Sequence, residues 1–161
     1  NRGTIGGSVA NNDPAADYPA ACLALNATIT TNKREISADE FFTGMFDTAL
    51  DEGELITSIS FPIPEKAAYM KFPNPASRYA LVGVFVSKLP SEVRVAVTGA
   101  GEDGVFRASN LEDALNNNFS AASLDSLTIS PEGLLSDIHA QNDYRASLIV
   151  TMAKRAVTAA S

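Results

Sequence analysis

The chain has 161 residues, room for one ordinary domain or two small ones, and its 45% apolar and 19% charged residues exclude a disordered chain. A net charge of -7 and a pI near 4.6 exclude a phosphate-backbone partner, which needs a basic surface. No apolar run approaches the roughly 20 residues of a membrane span, the first residues are not a secretory leader, and one cysteine excludes an internal disulfide, which together predict a cytoplasmic protein.

The chain opens on TIGGSVANNDPAAD, residues 4 to 17, with no initiator Met before it, so it reads as a piece of something longer. Asp13-Pro14 predicts a helix start, with Asp13 as cap and Pro14 at the first helical position. Cys22 lies in the apolar run that follows and reads as a buried structural thiol. Residues 27 to 31 predict a short strand and residues 34 to 37 a returning hairpin arm. Ser37 and Glu40 have capping-box spacing before a short helical turn. ELITSISF, residues 54 to 61, alternates as a strand. Pro62 and Pro64 mark a boundary, dividing the chain into 1–62 and 63–161.

Beyond the boundary, residues 69 to 72 predict a short strand ended by Pro73. ALVGVFVSK (80–88) is apolar enough to be buried on both faces, and EVRVAVT (92–98) puts Val93, Val95 and Val97 on one face. Another strand begins at Val105, so three strands joined by short loops predict an antiparallel meander. Ser109 reads as the cap of a helix over 110–115, a second short helix covers 121–127, and the last helix runs from about Asn142 to Ala159 with Leu148, Met152 and Ala156 on its apolar face.

Several chemistries are excluded. His139 is the single histidine, placed on a loop, and cannot build a metal cluster with one distant cysteine; no G-x-S-x-G nucleophile elbow occurs. GAGEDG (99–104) matches G-x-G-x-x-G, but a strand follows it instead of a helix, and Glu102 and Asp103 would face phosphate with negative charge, so it reads as a hairpin turn. The opening stretch is different. Gly6-Gly7 can present consecutive amides, Thr4 and Ser8 add hydroxyls, and a helix start follows, which reads either as a backbone cradle for an anion or as a tight turn into a helix.

NRGTIGGSVANNDPAADYPAACLALNATI, YMKFPNPASRYALVGVFV, EVRVAVTGAG and LLSDIHAQNDYRASLIVTMAKRAV, found in this order, resemble the flavoprotein (medium) subunit of molybdenum hydroxylases of the carbon monoxide dehydrogenase type, with the xanthine dehydrogenase FAD domain a more distant likeness. The resemblance spans the whole chain. It implies an α+β fold: the C-terminal part of a PCMH-type FAD-binding domain, then a three-stranded antiparallel sheet with a helical layer. It implies that Thr4, Ile5, Gly6, Gly7 and Ser8 contact the FAD pyrophosphate and sugars, that Asp17 is an acidic contact, that Ile56 packs on the cofactor, that Lys71 lies near the flavin, and that Tyr79 lies near its ring. It further implies electron transfer through FAD to an external acceptor, from a large molybdopterin subunit through a small subunit with two [2Fe-2S] clusters. Some positions depart from the pattern. The family's first glycine loop, of the kind GGHSL, is not among these residues; Asn11-Asn12 replaces His-Ala; and Pro73-Asn74-Pro75 replaces a basic cluster, leaving Arg78. Two rival readings are a scaffold of the same fold without flavin and a stand-alone FAD-linked oxidase.

Overall fold

Two long apolar runs dictate the architecture. ALVGVFVSK and VRVAVTGAG have too little polar surface to face water on either side, and they form the middle of a four-stranded antiparallel sheet. In a computed structural model, which describes residues 2–160, this sheet is β6 (Lys66–Pro73), β7 (Ala80–Lys88), β8 (Val93–Gly101) and β9 (Gly104–Arg107), in that order. The meander therefore has four strands where three were expected. Residues 69 to 72 are the middle of β6, which pairs with β7 from Lys66↔Lys88 onward.

One face of the sheet carries Val82, Val84, Val86, Val93, Val95 and Val97 into a core closed by α4 (Ser109–Asn117), a short 3-10 turn (Ala121–Leu124) and α5 (Asn142–Ala160). Leu148, Ile149, Met152, Ala153 and Ala156 form the buried face of α5, as their spacing predicts. Ala108 rather than Ser109 precedes α4 as its cap, because Glu112 turns its carboxylate back onto Val95 N–H and Arg107 instead of leaving the first turn to a serine hydroxyl.

The other face looks polar in sequence and is nonetheless buried. Ser87, Arg94 and Thr98 alternate with the valines, and each docks on a carbonyl of the segment around α2 (Asp17–Ala24). Thr98 donates to Pro14 O (3.0 Å) and Ala16 O (2.7 Å); Ser87 donates to Ala24 O (2.5 Å) and Arg94 to Leu23 O (2.9 Å). The helix is thus pinned at both ends, with Ser87 and Arg94 donating to carbonyls of its last turn. A second core forms here from Val9, Ala20, Cys22, Leu23, Ile29, Phe41 and Ala96.

Around that core lie α1 (Ile5–Asn11), β1 (Thr28–Thr31), β2 (Glu35–Ser37), α3 (Ala38–Phe41), the small hairpin of β3 (Phe42–Gly44) and β4 (Asp47–Thr48), and β5 (Ile56–Ser60). The β1–β2 hairpin and β5 form one sheet in the order β2-β1-β5. Residues 61–65 carry no regular structure, and Ile63 there is 91% exposed.

Two helix starts differ from expectation. α2 begins at Asp17, three residues late, because the Asp13 carboxylate accepts from Ala15 N–H and closes a turn of its own. Ser37 precedes α3 but donates its hydroxyl to Glu40 instead of accepting a backbone N–H, so the capping box is half formed. The GAGEDG hairpin is as expected: Gly101 pairs with Gly104 across Glu102-Asp103.

Candidate functional site

The opening stretch is a helix, not a loop. Thr4 caps α1, its Oγ1 accepting from Gly7 N–H at 3.0 Å while its carbonyl accepts from Ser8 N–H. The Ile5 and Gly6 amides lie in the first turn, where no carbonyl of the helix can reach them. A Cβ on Gly6 would touch Ile56 at 3.6 Å, so Ile56 backs the helix and lies behind Gly6. A Cβ on Gly7 would stand 3.0 Å from Thr4 Oγ1 and press on the cap itself.

Asp17, at the start of α2, faces the sheet's edge strand. Its Oδ2 pairs with Lys71 Nζ at 2.8 Å and its Oδ1 accepts from the Tyr69 hydroxyl. Lys71 and Tyr69 are two residues apart on β6, so both point to the same face. Burial, and then the Asp17 carboxylate, push the Tyr69 phenol above the ordinary tyrosine range, so it stays protonated as a donor. Tyr69 was not expected at this site. Its signal was available in the Tyr-x-Lys spacing of a strand whose same-face positions are both polar.

Ser8, Asp17 and Tyr79 line one groove of about 460 Å³ with Asn11, Asp13, Ala15, Ala16 and Tyr18. Tyr79 is half exposed and also walls a smaller cavity of about 230 Å³ beside Asn74, Asp137, His139 and Arg145. Lys71 opens on the far side onto a recess with Asn74 and Arg78. The structure therefore brings Ser8, Asp17 and Tyr79 together directly and adds Lys71 through its ion pair. Thr4 to Gly7 lie on the preceding helical turn. Ile56 supports that turn, and Ile5 is 43% exposed beside it. No lysine or arginine lines the groove among the described residues, so an anion there must be held by amides and hydroxyls. The donor set fits a diphosphate flanked by sugars. The helix start adds the Ile5 and Gly6 amides and the Thr4 and Ser8 hydroxyls, of which Ser8 lines the groove itself, and the groove also carries the Asp13 carboxylate and that of Asp17, whose charge Lys71 balances.

His139 lies on the loop before α5, and no group of metal-binding side chains occurs among the described residues. No helix among them is long and apolar enough to cross a membrane.

The fold is α+β, with the groove at the junction of α1, α2 and the segment before β7. Residues 1–64 match the family described as the FAD binding domain in molybdopterin dehydrogenase. The chain is 33% identical, over 99% of its length, to the nicotine 6-hydroxylase medium subunit of Paenarthrobacter nicotinovorans, 61% of which it covers. It is 39% identical over 70% of its length to the glyceraldehyde dehydrogenase medium chain of Sulfolobus acidocaldarius, covering 43% of that chain. The solved structure of reconstituted CO dehydrogenase from Oligotropha carboxidovorans superposes on 98% of this chain with a TM-score of 0.83 and 26% identity, the match covering 60% of the solved chain. Over nearly its whole length the chain is thus similar to medium subunits of molybdenum hydroxylases, and it spans less than two thirds of the length of these relatives.

Proposed function

We propose that this chain is part of the FAD-holding subunit of a cytoplasmic molybdenum hydroxylase, an oxidoreductase component that works with a large molybdopterin subunit and a small subunit carrying two [2Fe-2S] clusters. Bound FAD supplies the redox chemistry, relaying electrons from the iron–sulfur clusters to an external acceptor. The residues of this chain bind and orient it. The first turn of α1, from Thr4 to Ser8, offers amides and hydroxyls to the diphosphate. Asp17 accepts from a ligand hydroxyl, Lys71 holds that carboxylate and adds positive charge near the flavin, and Tyr79 forms the wall beside the ring. Ile56 fixes the height of α1 from behind. The domain boundary at residue 62 belongs to this reading, with the FAD-binding part before it.

The observation that carries the reading is the convergence of Ser8, Asp17 and Tyr79 on one groove, in a chain whose first 64 residues match an FAD-binding family. The test is a titration with FAD followed by flavin fluorescence, on the subunit purified with its partners. Gly7→Val, which drives a side chain into the Thr4 cap, is expected to lose the flavin. Gly6→Ala, whose Cβ meets Ile56 only at ordinary contact distance, is expected to keep it. Equal retention by both variants would refute the assignment of α1. This 161-residue chain alone is expected to bind FAD weakly. Its groove offers few donors to a doubly charged diphosphate, and association itself costs roughly 4–15 kcal/mol.

A further inference from the structure

Asp17 does not find its position unaided, and the means by which it is held lie one layer deeper than the groove. Its carboxylate is the terminus of a chain of contacts that begins on β7. In the sheet register Tyr69 faces Phe85 and Lys71 faces Gly83. The Tyr69 ring stacks on Phe85, with centroids 6.0 Å apart and planes inclined by 28°. It then leans along the strand over Gly83, where a Cβ would overlap the Tyr69 hydroxyl outright and come within 2.9 Å of its Cζ. The absent side chain at 83 is the channel through which the phenol reaches Asp17.

We infer that Tyr69 is a positioning residue for the cofactor. With Gly83 giving it room, it fixes one oxygen of Asp17 while Lys71 fixes the other, so that the remaining lone pairs of the carboxylate face the groove. Each partner does what the other cannot. Lys71 balances the charge but ends on a flexible stem. Tyr69 is rigid, stacked on Phe85 and half-buried, and it supplies direction. Because its hydroxyl remains protonated, it always donates, and the carboxylate, accepting from both partners, has its remaining lone pairs directed at a ligand hydroxyl. The ligand class this favours is a polyol or sugar chain attached to an anion, the chemistry of a flavin nucleotide. The inference rests on the proposed FAD reading.

The test uses the subunit purified with its partners, with FAD affinity read by fluorescence and fold checked by circular dichroism and Tm. Tyr69→Phe keeps the ring on Phe85 and removes only the donor. It is expected to weaken FAD binding by about tenfold, the scale of one lost hydrogen bond to a charged group, with Tm little changed. In an Asp17→Ala background the same substitution is expected to have no further effect. Binding of Tyr69→Phe within twofold of wild type would overturn the inference, as would a tenfold loss that persists in the Asp17→Ala background or an Asp17→Ala affinity equal to wild type. Should Tyr69→Phe fail to fold, fluorotyrosine at position 69, which keeps the ring and changes the acidity of the hydroxyl, is expected to shift affinity more than twofold, and an unchanged affinity would overturn the role. Wild-type protein that takes up no FAD would overturn the functional reading itself, and this role with it.

Discussion

Gly99 is the position where one added carbon does most harm. It sits on β8 with φ +81°, a conformation that costs an L-residue about 1–2 kcal/mol. A Cβ there would overlap the Ala80 carbonyl oxygen and stand 3.0 Å from both the Ala80 carbonyl carbon and the Leu81 oxygen. These are backbone atoms of the neighbouring strand, so no side-chain rotation relieves them. They are also tied from the other side, since Gly99 N–H donates to Pro14 O at 2.7 Å and Arg145 Nη1 donates to both Leu81 O and Gly99 O. Adding about 1–3 kcal/mol for overpacking to the backbone strain, Gly99→Ala is expected to destabilise by about 2–5 kcal/mol. Gly133 is the control. Its φ is +75° but nothing lies within 4 Å of its Cβ position, so Gly133→Ala carries the conformational cost alone. Urea melts of both variants by circular dichroism would measure the difference. At this chain length each kcal/mol also lowers Tm by about 2–4 °C. A Gly99→Ala variant no less stable than Gly133→Ala would refute the claim that the strand contact, rather than the φ angle, makes this glycine necessary.

Glu54 gives an acid dependence. Arg34, then the Asp51 N–H and the Thr31 hydroxyl, hold its carboxyl down from 4.5 to about 2, so its contribution is complete above pH 4.5 and is lost as pH falls toward 2; Glu54→Gln should flatten the urea midpoint across that window, and an unchanged slope would sink the assignment. Burial pushes the Cys22 thiol up to about 12, so native protein at pH 8 should resist a thiol reagent that labels the urea-unfolded chain rapidly, and fast native labelling would contradict the buried placement. Limited proteolysis should cut first within 61–65, where Ile63 stands clear of the fold; first cleavage within 80–98 would contradict the proposed boundary.

The long elements were legible because their apolar runs and periods had one solution each. α5 and β7 match their predicted spans nearly residue for residue, as does the hairpin at Glu102-Asp103. What escaped was decided by side chains acting across the fold. VRVAVT alternates as a half-exposed strand would, yet Arg94 and Thr98 are buried, because the carbonyls they bond belong to residues 14–23, and such pairing leaves no local trace. The α1 helix escaped because two glycines oppose it by propensity; the Thr4 cap and the packing of Gly6 on Ile56 override that preference. Of the residues expected at the site, Ser8, Asp17 and Tyr79 line one groove, while Thr4 to Gly7 form the preceding turn with Ile56 behind it. Lys71 reaches the groove only through its ion pair with Asp17, and Tyr69, which bonds the same carboxylate, carried only the Tyr-x-Lys spacing as a clue.

The double pinning of α2 ties ligand binding to temperature and denaturant. Thr98 clamps the carbonyls just before Asp17, while Ser87 and Arg94 grip the far end, and all three sit on the strands whose valines build the opposite core. The groove has no hinge of its own at this end. The backbone leading into Asp17 is tied to the central sheet, and loosening the valine layer is expected to loosen it in step. On the proposed FAD reading, cofactor retention and global unfolding are expected to coincide. Flavin release should track the loss of β-structure on heating, and a ligand seated in the groove should tighten a core two layers away that it never touches.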